Sequence, residues 1–272
     1  MGPMLYAADR HGFSEDFAMP FFKTSGKLVF YAHVPKCGGV SITDYLSTRF
    51  GPVAFSDSRH MTQPEALRWT RTSPQHVDTA SLARLLPPGM IDACFTIVRH
   101  PVARLVSIYH FQKEVERAID ADMGFSDWLA RAEESLAADR FRYDNHLRPM
   151  DEIVPEGATV FHMEHGLDAL IPWLDRVAGN SLGPRAIPHE NIRGQYVRAE
   201  GGRAQPSDED IRHIARLYAV DFHRFGYDPG GRAPKAPAPV LEPGFAAARD
   251  RDLRRMNHPV SRLFRKVRRK LG

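Results

Sequence analysis

Cysteine is scarce in this chain of 272 residues, which contains only Cys37 and Cys94. Two cysteines cannot form the disulfide framework of a small secreted domain, so we interpret each as a small buried hydrophobe. The sequence also lacks any uninterrupted apolar run near the roughly 18 residues of a membrane span. Residues 1–26 carry acidic side chains and lack the apolar stretch of a signal peptide. These absences favour a cytoplasmic protein.

The chain has no net positive charge outside its C-terminal tail. Residues 260–272 hold six of the 37 Lys and Arg residues and no acidic residue. The rest of the chain therefore has 31 basic against 33 acidic residues, a balance of −2. Without an overall positive field we expect no nucleic-acid partner, and any anion site must be built from local geometry.

Three repeats of strand, short loop and helix organise the middle of the chain. The predicted strands cover residues 27–34, 94–98 and 158–163, and the helices that follow them cover 41–50, 102–118 and 164–179. Two further helices are predicted over 125–137 and over 207–225, the latter with Ser207 as its N-cap. Because 43% of the residues are hydrophobic, the chain can bury a sizeable core. The pattern predicts a single α/β domain, a parallel sheet flanked by helices.

Composition divides the chain into four parts. An N-terminal extension covers residues 1–26, and the folded domain covers 27–228. A linker rich in Pro, Gly and Ala covers 229–248, and a basic amphipathic tail covers 249–272.

The segment HVPKCGGVSI (33–42) lies between a predicted strand and a predicted helix. A glycine-rich turn there directs backbone N–H groups into one concavity, and Lys36 and Ser41 add a cation and a hydroxyl. The Walker pattern is absent, because no Ser or Thr directly follows the lysine. Taken alone, the segment is equally compatible with an ordinary strand-to-helix turn.

The segment FTIVRHPVARLVSIYHF (95–111) also follows a predicted strand. Arg99 can offer a fork of donors to a phosphate, and Ser107 lies two turns into the next helix. Alone, this is equally compatible with a helix-capping arginine beside a core serine. Two anion loops at the carboxyl ends of two parallel strands, however, suit a ligand with two separated anionic groups.

These two segments resemble the 5′-phosphosulfate and 3′-phosphate motifs of sulfotransferases that use 3′-phosphoadenosine 5′-phosphosulfate (PAPS). The resemblance spans residues 27–228 and is closest to carbohydrate sulfotransferases, including the uronyl 2-O-sulfotransferases, chondroitin-type enzymes and bacterial relatives. Three other stretches agree in order: SPQHVDTASLARLLP (73–87), YDNHLRPM (143–150) and ARLYAVDFHRFGYD (215–228). The resemblance implies a P-loop NTPase-like fold, PAPS as donor, a carbohydrate hydroxyl as acceptor and no metal.

The resemblance also implies roles for individual residues. Lys36 matches the lysine on the 5′-phosphosulfate, and Arg99 and Ser107 match the residues on the 3′-phosphate. The remaining cofactor-binding expectations are Cys37, Gly38, Gly39, Val40 and Ser41 as the cradle, with Asn191 and Arg193 close to the nucleotide. Cys37 departs from the usual Thr, and His100 replaces an Asp that would orient Arg99.

Sulfuryl transfer to an alcohol needs a base, and a neutral imidazole suits that role near pH 7. His76 is the first candidate, because it lies 23 residues before Arg99, close to the spacing in the 2-O-sulfotransferases. His60 is the second. His146 and Arg148 are candidate contacts to the acceptor or to the donor sulfate, with an ordinary surface loop as the alternative.

Residues 260–272 place their apolar side chains on one helical face and Lys and Arg on the other. Such a helix can bind an anionic membrane surface, as a peripheral protein does, or remain a solvated tail. Two other functions stay open from the sequence: a P-loop nucleotide kinase, and a non-catalytic protein that binds a nucleotide or a glycan.

Overall fold

The computed structural model describes residues 21–55, 57, 60–187 and 202–257. Its sheet has four strands in the order β1 (Phe21–Thr24), β2 (Lys27–Ala32), β3 (Ala93–Val98) and β4 (Thr159–His162). β2, β3 and β4 are parallel neighbours, whereas β1 pairs antiparallel with β2. The predicted α/β fold is confirmed, and the sheet is mixed because of its edge strand.

Strand β1 is absent from the prediction, which assigned its residues to the N-terminal extension. It forms a hairpin with β2 through Ser25 and Gly26, which both have positive φ angles, of 49° and 78°. Two left-handed residues make the tight turn that suits the twist of paired strands. The ring of Phe21 stacks on that of Phe30 at 4.6 Å, so the edge strand is anchored by burial.

Eight α-helices lie in the part of the chain that the structure describes. They are α1 (Gly39–Phe50), α2 (Thr79–Leu85), α3 (Pro101–His110), α4 (Phe125–Ala138), α5 (Leu170–Ala178), α6 (Asp208–Leu217), α7 (Ala219–Arg224) and α8 (Pro243–Asn257). The helix predicted over 102–118 changes after His110 into a π-helical turn, Phe111–Val115. The helix predicted over 207–225 is interrupted at Tyr218, and its predicted cap, Ser207, forms a capping box with Asp210.

Successive residues of β2 point to opposite faces of the sheet. Val29 and Tyr31 belong to the main core, and Phe30 and Ala32 belong to a smaller cluster that includes Leu82 of α2. Both faces of the sheet are therefore covered by packed side chains. The loops that follow the carboxyl ends of the parallel strands remain as the place for a site.

The helix α8 begins inside the predicted linker and ends inside the predicted tail. Phe245 packs against the main core and against Arg185, and Asp252 accepts a hydrogen bond from the Arg185 backbone at 2.7 Å. No helix in the described ranges is long and apolar enough to cross a membrane. The amphipathic segment 260–272 lies outside these ranges.

Candidate active site

The loop after β2 forms a concave turn at the start of α1. Lys36 and Gly38 both adopt left-handed backbone angles, with φ of 66° and 87°, and Gly38 is the N-cap of α1. Such alternation turns successive backbone N–H groups toward one side, where the helix N-terminus adds partial positive charge. Ser41 lies buried in the first turn of α1. The predicted anion loop thus has the backbone shape that anion binding needs.

The second glycine of this loop is in direct contact with a histidine. A Cβ atom at Gly39 would lie 1.8 Å from Nε2 of His33 and 2.5 Å from its Cε1. The His33 ring is buried and stacks on Tyr31 at 5.3 Å. Only glycine fits at position 39, because this ring occupies the space of any side chain.

The thiol of Cys37 points into the core rather than into the turn. Its Sγ lies 3.7 Å from the carbonyl oxygen of Pro35, and burial raises the pKa of the thiol to about 12. Cys37 can therefore contribute only its backbone to the cradle. The loop therefore lacks the side-chain hydroxyl that a Thr would supply at this position.

The loops after β2 and β3 meet through an arginine. Arg99 directly follows β3, and its Nη1 donates a hydrogen bond to the carbonyl oxygen of Lys36 at 3.2 Å. Burial lowers the pKa of Arg99, so part of its hydration has been removed before any anion binds. Ser107 is half-buried in α3. Phe111 follows one turn later, and the centre of its ring lies 3.5 Å from Nζ of Lys36. The two predicted anion loops are therefore adjacent.

Glu164 and His100 connect the arginine loop to the end of the domain. Glu164 accepts hydrogen bonds from the His100 backbone at 2.7 Å and from the Tyr227 hydroxyl at 2.9 Å. Glu164 therefore binds at the start of α3, where His100 is the N-cap residue. The His100 ring bonds to the carbonyl oxygen of Asp228, so it holds the closing segment rather than Arg99.

His76 ends a short 3₁₀ turn and lies among other titratable side chains. Its Nδ1 is 2.7 Å from Oδ2 of Asp144, and its ring centre lies 4.9 Å from that of His33 and 5.2 Å from that of His146. The His146 ring in turn packs on Phe111 at 5.3 Å, the ring that Lys36 covers. The structure thus brings the predicted base, His76, into one cluster with His146 and Lys36.

Asp144 lies in an unusual turn of the backbone. Tyr143, Asp144 and Asn145 all have positive φ angles, of 52°, 54° and 62°. Each left-handed residue costs roughly 1–2 kcal/mol, with Asn and Asp tolerating it best. Packing and hydrogen bonds offset this cost, including bonds of 2.5 Å from the backbone N–H and the hydroxyl of Ser73 to the Asp144 carboxylate.

The cluster holds one charged carboxylate, Asp144, beside the uncharged imidazoles of His33 and His146. Burial alone would raise the pKa of Asp144, but the charge and hydrogen bond of His76 and the bond from Ser73 hold it well below its usual range. Burial, assisted by the charges of His76 and Lys36, holds the pKa values of His33 and His146 well below theirs.

His76, Asp144 and His146 each offer a ligand atom within 4.8 Å of the others, which is close enough to consider a metal ion. The Asp144 carboxylate, however, already accepts bonds from His76 and Ser73. The ammonium group of Lys36 and the guanidinium of Arg104 also place positive charge beside His146. These neighbours favour an anion and a mobile proton over a bound cation.

Two other candidate residues have structural partners. His60 is fully buried, where Nε2 lies 3.1 Å from the carbonyl oxygen of Thr70 and the ring meets Trp69 edge-on. Arg148 is also buried and donates to Asn145 Oδ1 at 3.0 Å and to Glu152 Oε2 at 2.9 Å. Arg148 therefore supports the turn that carries Asp144. The predicted contacts Asn191 and Arg193 lie outside the described residues.

Sequence reasoning missed Asp144, Arg104 and His33. Arg104 is 1% exposed and donates three hydrogen bonds, to the carbonyl oxygens of Pro35, His146 and Arg148. It joins the glycine loop to the turn of Asp144, yet in the sequence it is one basic residue in a helix. The Asp-Asn pair at 144–145 did carry a signal, because these residue types favour left-handed turns.

A family model described as the sulfotransferase family matches residues 20–228, well over half of the chain. The match covers the sheet, both anion loops and the cluster around His76. Domains of this family have the P-loop-like α/β fold expected from the sequence. Comparison with curated proteins and with solved structures gives no match. The chain therefore belongs to the sulfotransferase family.

Proposed function

We propose that this sulfotransferase uses PAPS as its donor and transfers the sulfuryl group to a hydroxyl of a carbohydrate, with His76 as general base. The observation that carries the proposal is the hydrogen bond from Arg99 to the Lys36 carbonyl oxygen, at 3.2 Å. It joins two cation-bearing loops at the carboxyl ends of neighbouring parallel strands. A ligand with anionic groups at two ends would bind across these strands.

The residues of the cradle fit an anionic donor. The turn of Lys36 and Gly38 directs backbone N–H groups inward, and the close packing of Gly39 on His33 fixes its shape. Lys36 would stabilise the negative charge that develops on the leaving phosphate, and Arg99 and Ser107 would hold the 3′-phosphate. Asn191 and Arg193 remain proposed contacts of the nucleotide.

The donor supplies a sulfuryl group whose bond to the phosphate oxygen breaks as a bond to the acceptor oxygen forms. His76 would take the proton that the acceptor hydroxyl loses, which is the usual role of a general base. The low pKa values of His33 and His146 keep these neighbours uncharged at neutral pH. They would therefore not repel the positive charge that His76 gains.

The segment between α1 and α2 offers a surface for a sugar. Phe55, Leu67 and Trp69 expose 55%, 69% and 54% of their surface there. The Ser73 end of this segment binds Asp144, next to His76. Exposed aromatic rings suit the apolar faces of sugar rings, and this supports a carbohydrate acceptor.

A nucleotide kinase is the competing function. Mg²⁺ in a P-loop kinase is held by a Ser or Thr hydroxyl directly after the lysine. Here that residue is Cys37, whose thiol is fully buried against Pro35. This observation favours the sulfotransferase.

Ligand-induced stabilisation tests the donor. We expect 3′-phosphoadenosine 5′-phosphate, the product nucleotide, to raise the Tm at concentrations where ATP and AMP do not, because only it carries the 3′-phosphate. Lys36→Ala and Arg99→Ala should weaken the shift, whereas Lys23→Ala and Arg84→Ala, at exposed positions, should not. Equal shifts with ATP and with the 3′-phosphorylated nucleotide would refute the donor assignment.

A further inference from the structure

We infer that Asp144 is a positioning residue for His76, one that fixes its protonated ring nitrogen and leaves Nε2 free to accept a proton. The inference rests on the proposed function in naming His76 as the base. The geometry that carries it is the contact of 2.7 Å between His76 Nδ1 and Asp144 Oδ2.

An ionised carboxylate only accepts hydrogen bonds, so the ring nitrogen beside it must carry the proton. Ser73 Oγ also lies 3.3 Å from Nδ1, but its hydroxyl donates to the same Oδ2 atom at the shorter distance of 2.5 Å, so the ring itself supplies the proton between Nδ1 and the carboxylate. With the proton at Nδ1, the lone pair of a neutral His76 lies at Nε2. The carboxylate also stabilises the imidazolium that forms once Nε2 has taken a proton.

The orientation of the carboxylate is fixed from both sides. Oδ1 accepts the Ser73 backbone N–H at 2.5 Å, while Oδ2 accepts from the Ser73 hydroxyl. On the next residue, Asn145 Nδ2 donates to the carbonyl oxygen of His76 at 2.7 Å. Adjacent side chains of one left-handed turn thus hold the ring and the backbone of His76. Because the turn holds both parts of His76, its left-handed backbone has a role at this position.

The nitrogen of His76 that carries the proton can be measured directly by ¹⁵N NMR of the imidazole, without donor or acceptor. When His76 is neutral in the wild-type protein, we expect a protonated Nδ1 and an unprotonated Nε2. In Asp144→Asn the amide NH₂ group can turn toward the ring, so we expect this single form to be lost. Asp139→Asn removes an exposed carboxylate five residues earlier and should change nothing.

Turnover supplies the second readout, as release of 3′-phosphoadenosine 5′-phosphate from PAPS with unsulfated chondroitin as the probe acceptor. We expect Asp144→Asn to lower kcat by about 10²-fold or more, with little change in the KM for PAPS. Because Asp144 acts through His76, the double variant His76→Ala/Asp144→Asn should be no slower than His76→Ala alone. If the carboxylate were merely structural, the fold losses in kcat of the two single variants would instead multiply in the double variant.

Ser73→Ala keeps the Asp144 carboxylate and removes one of its hydrogen bonds. This variant tests the inference if Asp144→Asn fails to fold. We expect it to retain the Nδ1-protonated ring and to lose only a few-fold in kcat. A wild-type His76 protonated at Nε2, or a ring form that Asp144→Asn leaves unchanged, would overturn the inference. Neither result would bear on PAPS binding, which the thermal shift with the product nucleotide tests separately.

Discussion

Replacing Gly39 by alanine should both destabilise the fold and damage the anion loop. The new Cβ would lie 1.8 Å from Nε2 of His33, far inside any real contact. The ring cannot simply swing away, because it lies between Tyr31, on which it stacks at 5.3 Å, and His76, at 4.9 Å. The backbone angle itself is not the obstacle, because Gly39 does not have a positive φ.

Forcing a methyl group into a packed core costs about 1–3 kcal/mol, and an overlap this deep belongs at the upper end. Alanine returns at most about 1 kcal/mol through its higher helix propensity. The free energy of unfolding should therefore fall by about 2 kcal/mol, which corresponds to a Tm lower by about 4–8 °C for a domain of this size. Urea unfolding and a thermal scan measure the two quantities.

Gly244→Ala is the matched control, because Gly244 also lies in the first turn of a helix and nothing approaches within 4 Å of its added Cβ. It should be neutral or slightly stabilising. The double variant His33→Ala/Gly39→Ala tests the cause, since removing the ring should relieve the clash and make the two effects less than additive. A Gly39→Ala protein as stable as wild type, with unchanged binding of 3′-phosphoadenosine 5′-phosphate, would refute the reasoning.

Arg104→Met should lower the free energy of unfolding by about 3 kcal/mol or more in urea titrations, because three buried carbonyl oxygens lose a charged donor; a loss below 1 kcal/mol would contradict this. Since the pKa of Asp144 is held below its unfolded value, the group stabilises the fold above about pH 4, and this contribution falls as pH falls further. The free energy of unfolding should therefore fall less between pH 5 and pH 3 in Asp144→Asn than in wild type; equal decreases would contradict this prediction. We also propose that residues 260–272 bind anionic membranes, so a chain truncated after residue 257 should no longer sediment with phosphatidylserine vesicles at low salt. Unchanged sedimentation would end that proposal.

The sequence by itself determined the features that depend on neighbouring residues. The strand, glycine turn and helix around Lys36 follow from a short apolar run and residues that permit left-handed angles, and the structure has them where they were expected. The same holds for the Ser207 cap, since its partner Asp210 is only three residues away. Placing Arg99 beside the glycine loop needed one further step, the pairing of adjacent parallel strands.

Only the tertiary structure decided which distant side chains meet. Asp144 is 68 residues from His76, and Arg104 is 42 residues from the His146 carbonyl oxygen that it binds. The left-handed turn at 143–145 and the buried guanidinium are each unfavourable alone. They persist because residues from the rest of the fold supply their hydrogen-bond partners. Local sequence preferences cannot predict contacts between residues that lie so far apart in the chain.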